Sequence, residues 1–243
     1  FWKSRLFVTS SGEEAVEFTT CSPNGEEGYP GNLEVKVTYL LKDNNTLRME
    51  CEATTDRLTP VNLTNHAFFN LQSSFGITDK KNVLSHNLTL NASAIIECDN
   101  GLIPTGRLLP VNGTLLDFRL PHTIASSLTE EHSQIQKGKG FSLAYALDKK
   151  EASELSFAAC LSDEISGRKM DIYTNQQSVQ VYNGYFMDGT DIGKGDTPYY
   201  ASAGIAIETQ GYPDAPNQPS FPSILIDKTE KYRHVAEYQF GVD

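Results

Sequence analysis

The chain has 243 residues, which is enough for one large domain or two small ones with a substantial core. Acidic residues outnumber basic ones by 31 to 20, and the resulting formal charge of -11 argues against nucleic acids and anionic membranes as partners. Hydrophobic residues make up 39% of the sequence, and no apolar run approaches the length of a membrane-spanning helix.

Alternating apolar and polar residues dominate the first quarter of the chain. This alternation predicts β-strands over residues 6–10, 15–21, 32–41 and 46–55. The last two segments flank Asp-Asn-Asn at residues 43–45, which is a typical turn sequence. They are therefore predicted to pair as an antiparallel hairpin.

The same pattern continues to the other end of the sequence. Further strands are predicted over residues 61–69, 87–96, 141–147, 154–161, 169–174, 178–186, 204–210 and 234–240. Residues 123–135 are the one stretch with the character of a helix. Many short strands with almost no helix predict an all-β sandwich or barrel, and the whole of residues 1–243 is expected to form a single domain. No repeat of fixed period stands out, which disfavours a propeller.

Several common kinds of site are missing from the sequence. The five histidines form no HxH, HxxH or HExxH motif, so no metal site is predicted. There is no GxSxG elbow, Walker loop or GxGxxG, which removes the usual hydrolase, nucleotide-hydrolysing and dinucleotide-binding classes. The cysteines are too far apart for any CxxC motif, and buried thiols or two disulfides both remain open for Cys21, Cys51, Cys98 and Cys160.

Three of the predicted strands share a polar face. In residues 61–69, 178–186 and 204–210 the apolar positions point to one side, and the other side carries polar and aromatic groups. These groups are Asn62, Thr64, His66, Phe68, Gln180, Tyr182 and Glu208. A carboxylate, an imidazole, an amide and aromatic rings on one sheet face would suit a sugar cleft. Each of these residue types is also common on solvated strands, so alternation alone does not decide between a site and an ordinary surface.

Seven stretches of the sequence occur in an order that is characteristic of a known family. They are SPNGEEGYPGNLEVKVTY (22–39), TPVNLTNHAFFNL (59–71), HNLTLNAS (86–93), IPTGRLLPVNGTLLDFR (103–119), SGRKMDIYT (166–174), SVQVYNG (178–184) and ETQGYPDAPNQPSFPS (208–223). In these stretches the chain resembles the aldose 1-epimerase (galactose mutarotase) family. The resemblance implies a large, twisted antiparallel β-sandwich with its site on a concave sheet face, in agreement with the strand pattern.

The resemblance also implies a reaction and the residues that perform it. The reaction would interconvert the α and β anomers of a hexose such as galactose or glucose by opening its ring, with no cofactor and no metal. His66 matches the family's general acid, and Glu208 matches its general base. Carboxylates ionise near pH 4 and imidazoles near pH 6.5, which suits these two residue types to accept and donate protons. The implied substrate contacts are Gln180, Asn65, Tyr182 and Ser142.

The sequence departs from the family pattern in two places. In GFSLAYAL (140–147), Ser142 replaces a sugar-binding Asp and Leu143 replaces the His that follows it, which predicts weak sugar binding or an altered substrate. The family's opening segment, with GRxANR and LHGG motifs, has no counterpart before Phe1. Because a truncated sandwich would have long unpaired edges, an N-terminal companion chain or segment is expected to complete it.

Other interpretations of function and location remain open. A secreted protein with the mutarotase fold that binds sugar or partner chains without catalysis is the main alternative to the enzyme. A glycoside hydrolase built on Glu208 and Asp214 is disfavoured, because Asp214 lies in a PDAP turn. N-glycosylation sequons favour a secreted glycoprotein over a cytoplasmic one, and they begin at Asn44, Asn62, Asn87, Asn91 and Asn112. Asn44 and Asn87 are the better glycan candidates.

Overall fold

The computed structural model of the chain describes residues 1–72, 83–128 and 132–242. The strands of this part are, in chain order, β1 (Lys3–Val8), β2 (Glu14–Ser22), β3 (Leu33–Lys42), β4 (Thr46–Thr55), β5 (Thr59–Pro60), β6 (Phe68–Phe69), β7 (Asn87–Leu90), β8 (Ala92–Cys98), β9 (Pro104–Pro110), β10 (His122–Thr123), β11 (Ser142–Leu147), β12 (Ser156–Asp163), β13 (Arg168–Thr174), β14 (Ser178–Tyr182), β15 (Asp188–Ile192), β16 (Pro198–Tyr200), β17 (Ile205–Gln210), β18 (Leu225–Ile226) and β19 (Tyr232–Val242). The helices are α1 (Ile124–Ser127), α2 (Ser133–Gly138) and the 3-10 turns Glu26–Gly28, Val83–Ser85, Lys194–Asp196 and Ala215–Asn217.

Most of these strands belong to two antiparallel sheets. As far as the described residues show, the larger sheet has nine strands in the order β1-β2-β3-β4-β19-β13-β12-β7-β10. The smaller sheet has six, in the order β6-β17-β14-β11-β8-β9. Two further pairs, β15 with β16 and β18 with β5, are separate ribbons. The predicted all-β antiparallel sandwich is confirmed.

The core of the protein lies between the two sheets. The smaller sheet contributes Val181 and Ile207, and the larger sheet contributes Met49, Leu161 and Ile172, all of them buried. Because successive side chains of a strand point to opposite sides, these apolar positions fix which face of each strand looks inward. Burial of each such side chain contributes about 1.5–3 kcal/mol, so a register slip in either sheet would be strongly disfavoured.

The predicted hairpin is confirmed. β3 and β4 pair along their whole length, from Leu33 opposite Thr55 to Lys42 opposite Thr46. Asn45 in the turn adopts a left-handed conformation with φ of 58°, which Asn tolerates better than most residues. The turn chemistry of the sequence therefore determines the connection that the structure shows.

The predicted strand over residues 87–96 is in fact two strands. β7 belongs to the larger sheet and β8 to the smaller one, and the chain crosses between them at Asn91. The Asn91 backbone N–H donates to the carbonyl oxygen of Ala158 at 2.9 Å, and its side-chain amide donates to that of Asp148 at 2.9 Å. Apolar alternation continues through the crossing, so the pattern alone gave no sign of it. β9, β15 and β16 were also not predicted.

The predicted helix over residues 123–135 is wrong as a single element. α1 ends at Ser127, and Leu128 and His132 both have non-helical backbone angles. Residues 129–131 of that prediction lie outside the described residues. Within the described ranges, no helix is long and apolar enough to cross a membrane.

The cysteines do not pair with one another. All four lie in the described part of the chain, and none forms a disulfide. Cys51 is buried in the core, and this burial raises the pKa of its thiol to about 12. Cys51 is therefore protonated at neutral pH and packs as a small apolar side chain.

Candidate active site

The candidate site lies on the outer face of the smaller sheet. β14 is the neighbour of both β11 and β17, and the register places Gln180 opposite Glu208 and Tyr182 opposite Ser142. The side chains next to these in sequence, such as Val181 and Ile207, are buried in the core, so the polar set projects to the other side. The polar face predicted for residues 178–186 and 204–210 is therefore present, and Ser142 of β11 joins Gln180, Tyr182 and Glu208 on it. The third predicted strand is wrong over residues 61–67, which form no strand, and the side chains of Asn62 and Thr64 bond to the backbone.

His66 joins this face from a separate segment of the chain. Immediately after it, β6 pairs with β17, with Phe68 opposite Ala206. This pairing holds the imidazole over β17, and the His66 Nε2 lies 3.3 Å from Oε1 of Glu208. The two groups predicted as acid and base are therefore in contact, although 142 positions separate them in the sequence.

The acid and the base differ in their exposure to solvent. The Glu208 side chain is 9% exposed at the floor of the cleft, whereas that of His66 is 51% exposed at its rim. Burial raises the pKa of the Glu208 carboxyl above its ordinary value, and the nearby His66, when charged, partly opposes this. A raised pKa brings the carboxylate closer to the pH at which it would exchange a proton.

Aromatic rings form one wall of the cleft. The His66 ring lies 5.0 Å from that of Phe68 and 6.1 Å from that of Tyr182, and the last two are 5.9 Å apart. The Tyr182 hydroxyl accepts a hydrogen bond from the backbone N–H of Phe186 at 3.2 Å. Phe69, the next residue in β6, packs on the other side against Tyr238 of the core. Phe68 is thus the one of the two phenylalanines that borders the cleft.

The two residues of β11 that depart from the family pattern lie on opposite faces of this strand. Ser142 faces the cleft, where its hydroxyl accepts a hydrogen bond from the Gln180 amide at 3.3 Å. Leu143 is buried in the core. The change at residue 142 therefore alters the candidate site, whereas the change at residue 143 alters packing.

The structure does not bring Asn65 into this group. The Asn65 amide nitrogen donates to the hydroxyl of Tyr39 at 3.1 Å, and its oxygen accepts from the N–H of Ala67 at 2.8 Å. The nitrogen and the oxygen of the Asn65 amide thus both have hydrogen-bond partners within the protein. This geometry does not support the predicted contact of Asn65 with substrate. Asp214 likewise accepts a hydrogen bond from the Gln218 amide at 2.9 Å within its turn.

Sequence reasoning missed the residues that support the site from behind. Tyr39, Thr209, Tyr232 and His234 all bond to the segment that carries His66. They stand at inward-facing strand positions, where alternation predicts ordinary core residues, so no signal distinguished them. Across the described ranges, no cluster of three or more His, Cys, Asp or Glu side chains is placed to hold a metal ion.

Comparison with known proteins agrees with this geometry. The family model described as aldose 1-epimerase matches residues 1–239. The chain belongs to the aldose 1-epimerase family. A galactose mutarotase from Rattus norvegicus is 42% identical over 97% of the chain, and an aldose 1-epimerase from Escherichia coli K12 is 34% identical over 99% of it. A crystal structure of a GalM/aldose epimerase homologue from C. elegans superimposes with a TM-score of 0.84 at 28% identity, covering 99% of this chain and 68% of that one.

The family members that resemble this chain are longer than it is. The chain spans 64% of the rat mutarotase and 68% of the E. coli epimerase. The aligned region of the family fold nevertheless includes the candidate acid, the candidate base and the sheet face between them.

Proposed function

We propose that the protein is an aldose 1-epimerase that interconverts the α and β anomers of a hexose such as galactose or glucose, with Glu208 as general base and His66 as general acid. The observation that carries this proposal is the 3.3 Å separation of the His66 Nε2 and the Glu208 Oε1 on an open sheet face. The hydroxyl that must lose a proton and the ring oxygen that must gain one are bonded to the same sugar carbon. A touching acid and base can therefore reach both oxygens at once.

Ring opening removes a proton from the C1 hydroxyl oxygen and adds one to the ring oxygen. The Glu208 carboxylate accepts the proton of the C1 hydroxyl, and the electron pair of that O–H bond becomes the second bond of the aldehyde. The bond between C1 and the ring oxygen breaks, its electron pair stays on the ring oxygen, and that oxygen takes a proton from the His66 imidazolium. No cofactor is required, because no electrons leave the sugar.

Ring closure restores both side chains. After rotation about the C1–C2 bond, the former ring hydroxyl attacks the other face of the aldehyde and returns its proton to His66. The protonated Glu208 gives its proton to the carbonyl oxygen, which becomes the C1 hydroxyl of the opposite anomer. Each positioned group typically contributes about 10²- to 10⁴-fold in rate.

Polarimetry tests the proposal directly. Freshly dissolved α-galactose or α-glucose changes its optical rotation as the anomers equilibrate, and the protein is expected to accelerate this change in proportion to its concentration. If the protein binds sugar yet leaves the rate at that of buffer alone, the proposed activity is wrong and the fold serves binding without catalysis.

Ser142 is expected to limit the affinity for sugar. Replacing it by Asp restores a carboxylate where the family pattern has one, beside Gln180. Two hydrogen bonds to sugar hydroxyls would strengthen binding by about 1–3 kcal/mol, or roughly five- to 150-fold in Kd. Calorimetric titration with galactose measures this, and Ser4→Asp on the exposed strand β1 is the matched control. Equal affinities of Ser142→Asp and the unmodified protein would contradict the prediction.

We propose further that a companion polypeptide segment covers the outer strand of the larger sheet. β1 pairs with β2 alone among the described strands, and its Leu6 and Val8 side chains are 83% and 65% exposed. Exposed apolar edge strands recruit other chains. Analytical ultracentrifugation of the chain by itself tests this, because an uncovered edge is expected to cause concentration-dependent association.

We also propose that Asn44 carries a glycan on a secreted form of the protein. Asn44 is exposed in the turn between β3 and β4. By contrast, the side-chain amides of Asn62, Asn87 and Asn91 donate hydrogen bonds to Gly211, Glu164 and Asp148. Intact-mass measurement before and after enzymatic deglycosylation, compared with an Asn44→Gln variant, tests the assignment.

A further inference from the structure

The segment that carries His66 is held to the rest of the protein mainly by side chains. This segment, residues 61–67, lies between β5 and β6 and forms no strand pairing with the described parts of the chain. The β6–β17 pairing begins only at Phe68, after this segment, so individual hydrogen bonds hold the residues that lead up to His66. We call residues 61–67 the acid segment.

Two side chains, with three hydrogen bonds between them, join the acid segment to the backbone that follows Glu208. The Thr64 hydroxyl donates to the carbonyl oxygen of Thr209 at 3.0 Å. Asn62 and Gly211 exchange two bonds: the Asn62 amide donates to the Gly211 carbonyl at 3.1 Å, and the Gly211 N–H donates to the Asn62 oxygen at 2.8 Å. These contacts fix the start of the segment beside the end of β17.

A third connection runs through a fully buried histidine on β19. His234 has its Nδ1 3.1 Å from the carbonyl oxygen of Leu63 and its Nε2 2.8 Å from the hydroxyl oxygen of Thr209. A carbonyl oxygen can only accept, so Nδ1 carries the proton. Nε2 of the neutral ring is then the acceptor, and the Thr209 hydroxyl donates to it.

The neutral ring is consistent with its surroundings. Burial lowers the pKa of His234 to about 4, so the ring stays uncharged at neutral pH. Tyr232, also on β19, contacts the same residue of the acid segment: its hydroxyl accepts a hydrogen bond from the Leu63 N–H at 3.2 Å. Both polar backbone atoms of Leu63 are thereby held by side chains of β19.

We propose that Thr209 and His234 are positioning residues that hold the acid His66 against the base Glu208. Thr209 follows Glu208 directly in β17 and faces the opposite side of the sheet. A chain of two hydrogen bonds therefore leads from the strand of the base to Leu63, three residues before the acid. This inference rests on the proposed function, because it gives the alignment of these two groups a catalytic purpose.

Thr209→Val tests the proposal by removing one hydroxyl at nearly constant shape. Misplacement of a catalytic group by about 1 Å can reduce the rate by about 10²-fold, and we expect kcat for anomer exchange to fall by about ten- to 100-fold with KM within about twofold. Thr174→Val is the matched control. Thr174 is also fully buried, and its hydroxyl donates to the carbonyl oxygen of Val235 at 2.9 Å, on β19 but without contact to the acid segment. Thr174→Val is expected to leave kcat unchanged.

A second readout does not depend on activity. The His66 ring lies against the Phe68 and Tyr182 rings, so its Cε1–H resonance at one fixed pH reports its position through their ring currents. Thr209→Val is expected to move this resonance beyond its linewidth, whereas Thr174→Val is not. Thr209→Ser keeps the hydroxyl and is expected to restore both kcat and the resonance position.

The outcomes separate this inference from the proposed function. If Thr209→Val matches Thr174→Val in both kcat and resonance position, or if Thr209→Ser loses as much as Thr209→Val, the positioning role is overturned. If the unmodified protein does not accelerate anomer exchange, the proposed function fails, and the resonance alone decides whether Thr209 positions His66. Should Thr209→Val not fold, His234→Phe carries the same test, because Phe keeps a ring of similar shape but has no donor for the Leu63 carbonyl.

Discussion

Replacing Glu208 by Gln is expected to slow anomer exchange by about 10²- to 10⁴-fold without disrupting the fold. Gln has nearly the same shape as Glu but cannot accept the proton of the C1 hydroxyl. The neighbouring Gln180 and His66 remain in place, so sugar binding should change little. Polarimetry gives the rate, and calorimetric titration gives the affinity.

The same variant is expected to be at least as stable as the unmodified protein at pH 7. Because burial raises the pKa of Glu208, the folded state binds its proton more tightly than the unfolded state does. The stability from this group is therefore present below its ordinary pKa and is lost as the pH rises through the folded-state pKa. Burial penalises the ionised form of this carboxyl, and a neutral Gln avoids that penalty. Urea unfolding measures the difference.

Glu237→Gln is the control for both measurements. Glu237 lies in β19, outside the cleft, where its carboxylate contacts Lys42 and Arg48 at 2.7 Å each. Losing these partly exposed ion pairs is expected to lower stability by about 1 kcal/mol or less and to leave the exchange rate unchanged. Glu208→Gln should thus lose activity without losing stability, whereas Glu237→Gln should lose stability without losing activity. A Glu208→Gln protein that retains full exchange would refute the assignment of the base.

The fold could be predicted from the sequence wherever local chemistry determines it. The β3–β4 hairpin combines alternating apolar and polar residues with a turn sequence, and the structure has both the paired strands and the turn. The crossing at Asn91 could not be predicted, because Leu90 and Ala92 continue the buried pattern although they belong to different sheets. One helix was predicted where the structure has two short ones. The composition of this stretch is typical of a helix, but Leu128 and His132 have non-helical backbone angles.

The candidate site was predictable in its residues but not in its support. Alternation placed Gln180, Glu208 and His66 on one face, and the family resemblance assigned the roles of acid and base. Neither could show that residues 61–67 would pair with none of the described strands, because pairing depends on which segments meet in three dimensions. The role of His234 depends on two atoms contributed by Leu63 and Thr209, and no local pattern contains both.

Acid is expected to destabilise the protein through His234 well above the pH at which carboxylates titrate. The pKa of His234 is about 4 in the folded protein, against an ordinary value of 6.5. As the pH falls below 6.5, His234 therefore becomes protonated in the unfolded chain but stays neutral in the folded protein. The free energy of unfolding decreases until the pH reaches the folded-state pKa. The total loss is about 3 kcal/mol, of which about 2 kcal/mol should appear between pH 7 and pH 5.

Comparison with His234→Gln isolates this contribution. Burial also lowers the pKa of His86 and His132, so all three histidines weaken the folded state over the same pH range. His234→Gln retains the other two and is expected to be less stable at pH 7, but to lose about 2 kcal/mol less than the unmodified protein between pH 7 and pH 5. Urea unfolding at the two pH values gives both differences. Equal losses would show that His234 takes up its proton without unfolding the protein, so that burial does not hold the ring neutral. The neutral hydrogen-bond connection between Thr209 and Leu63 would then have to be replaced by a charged one.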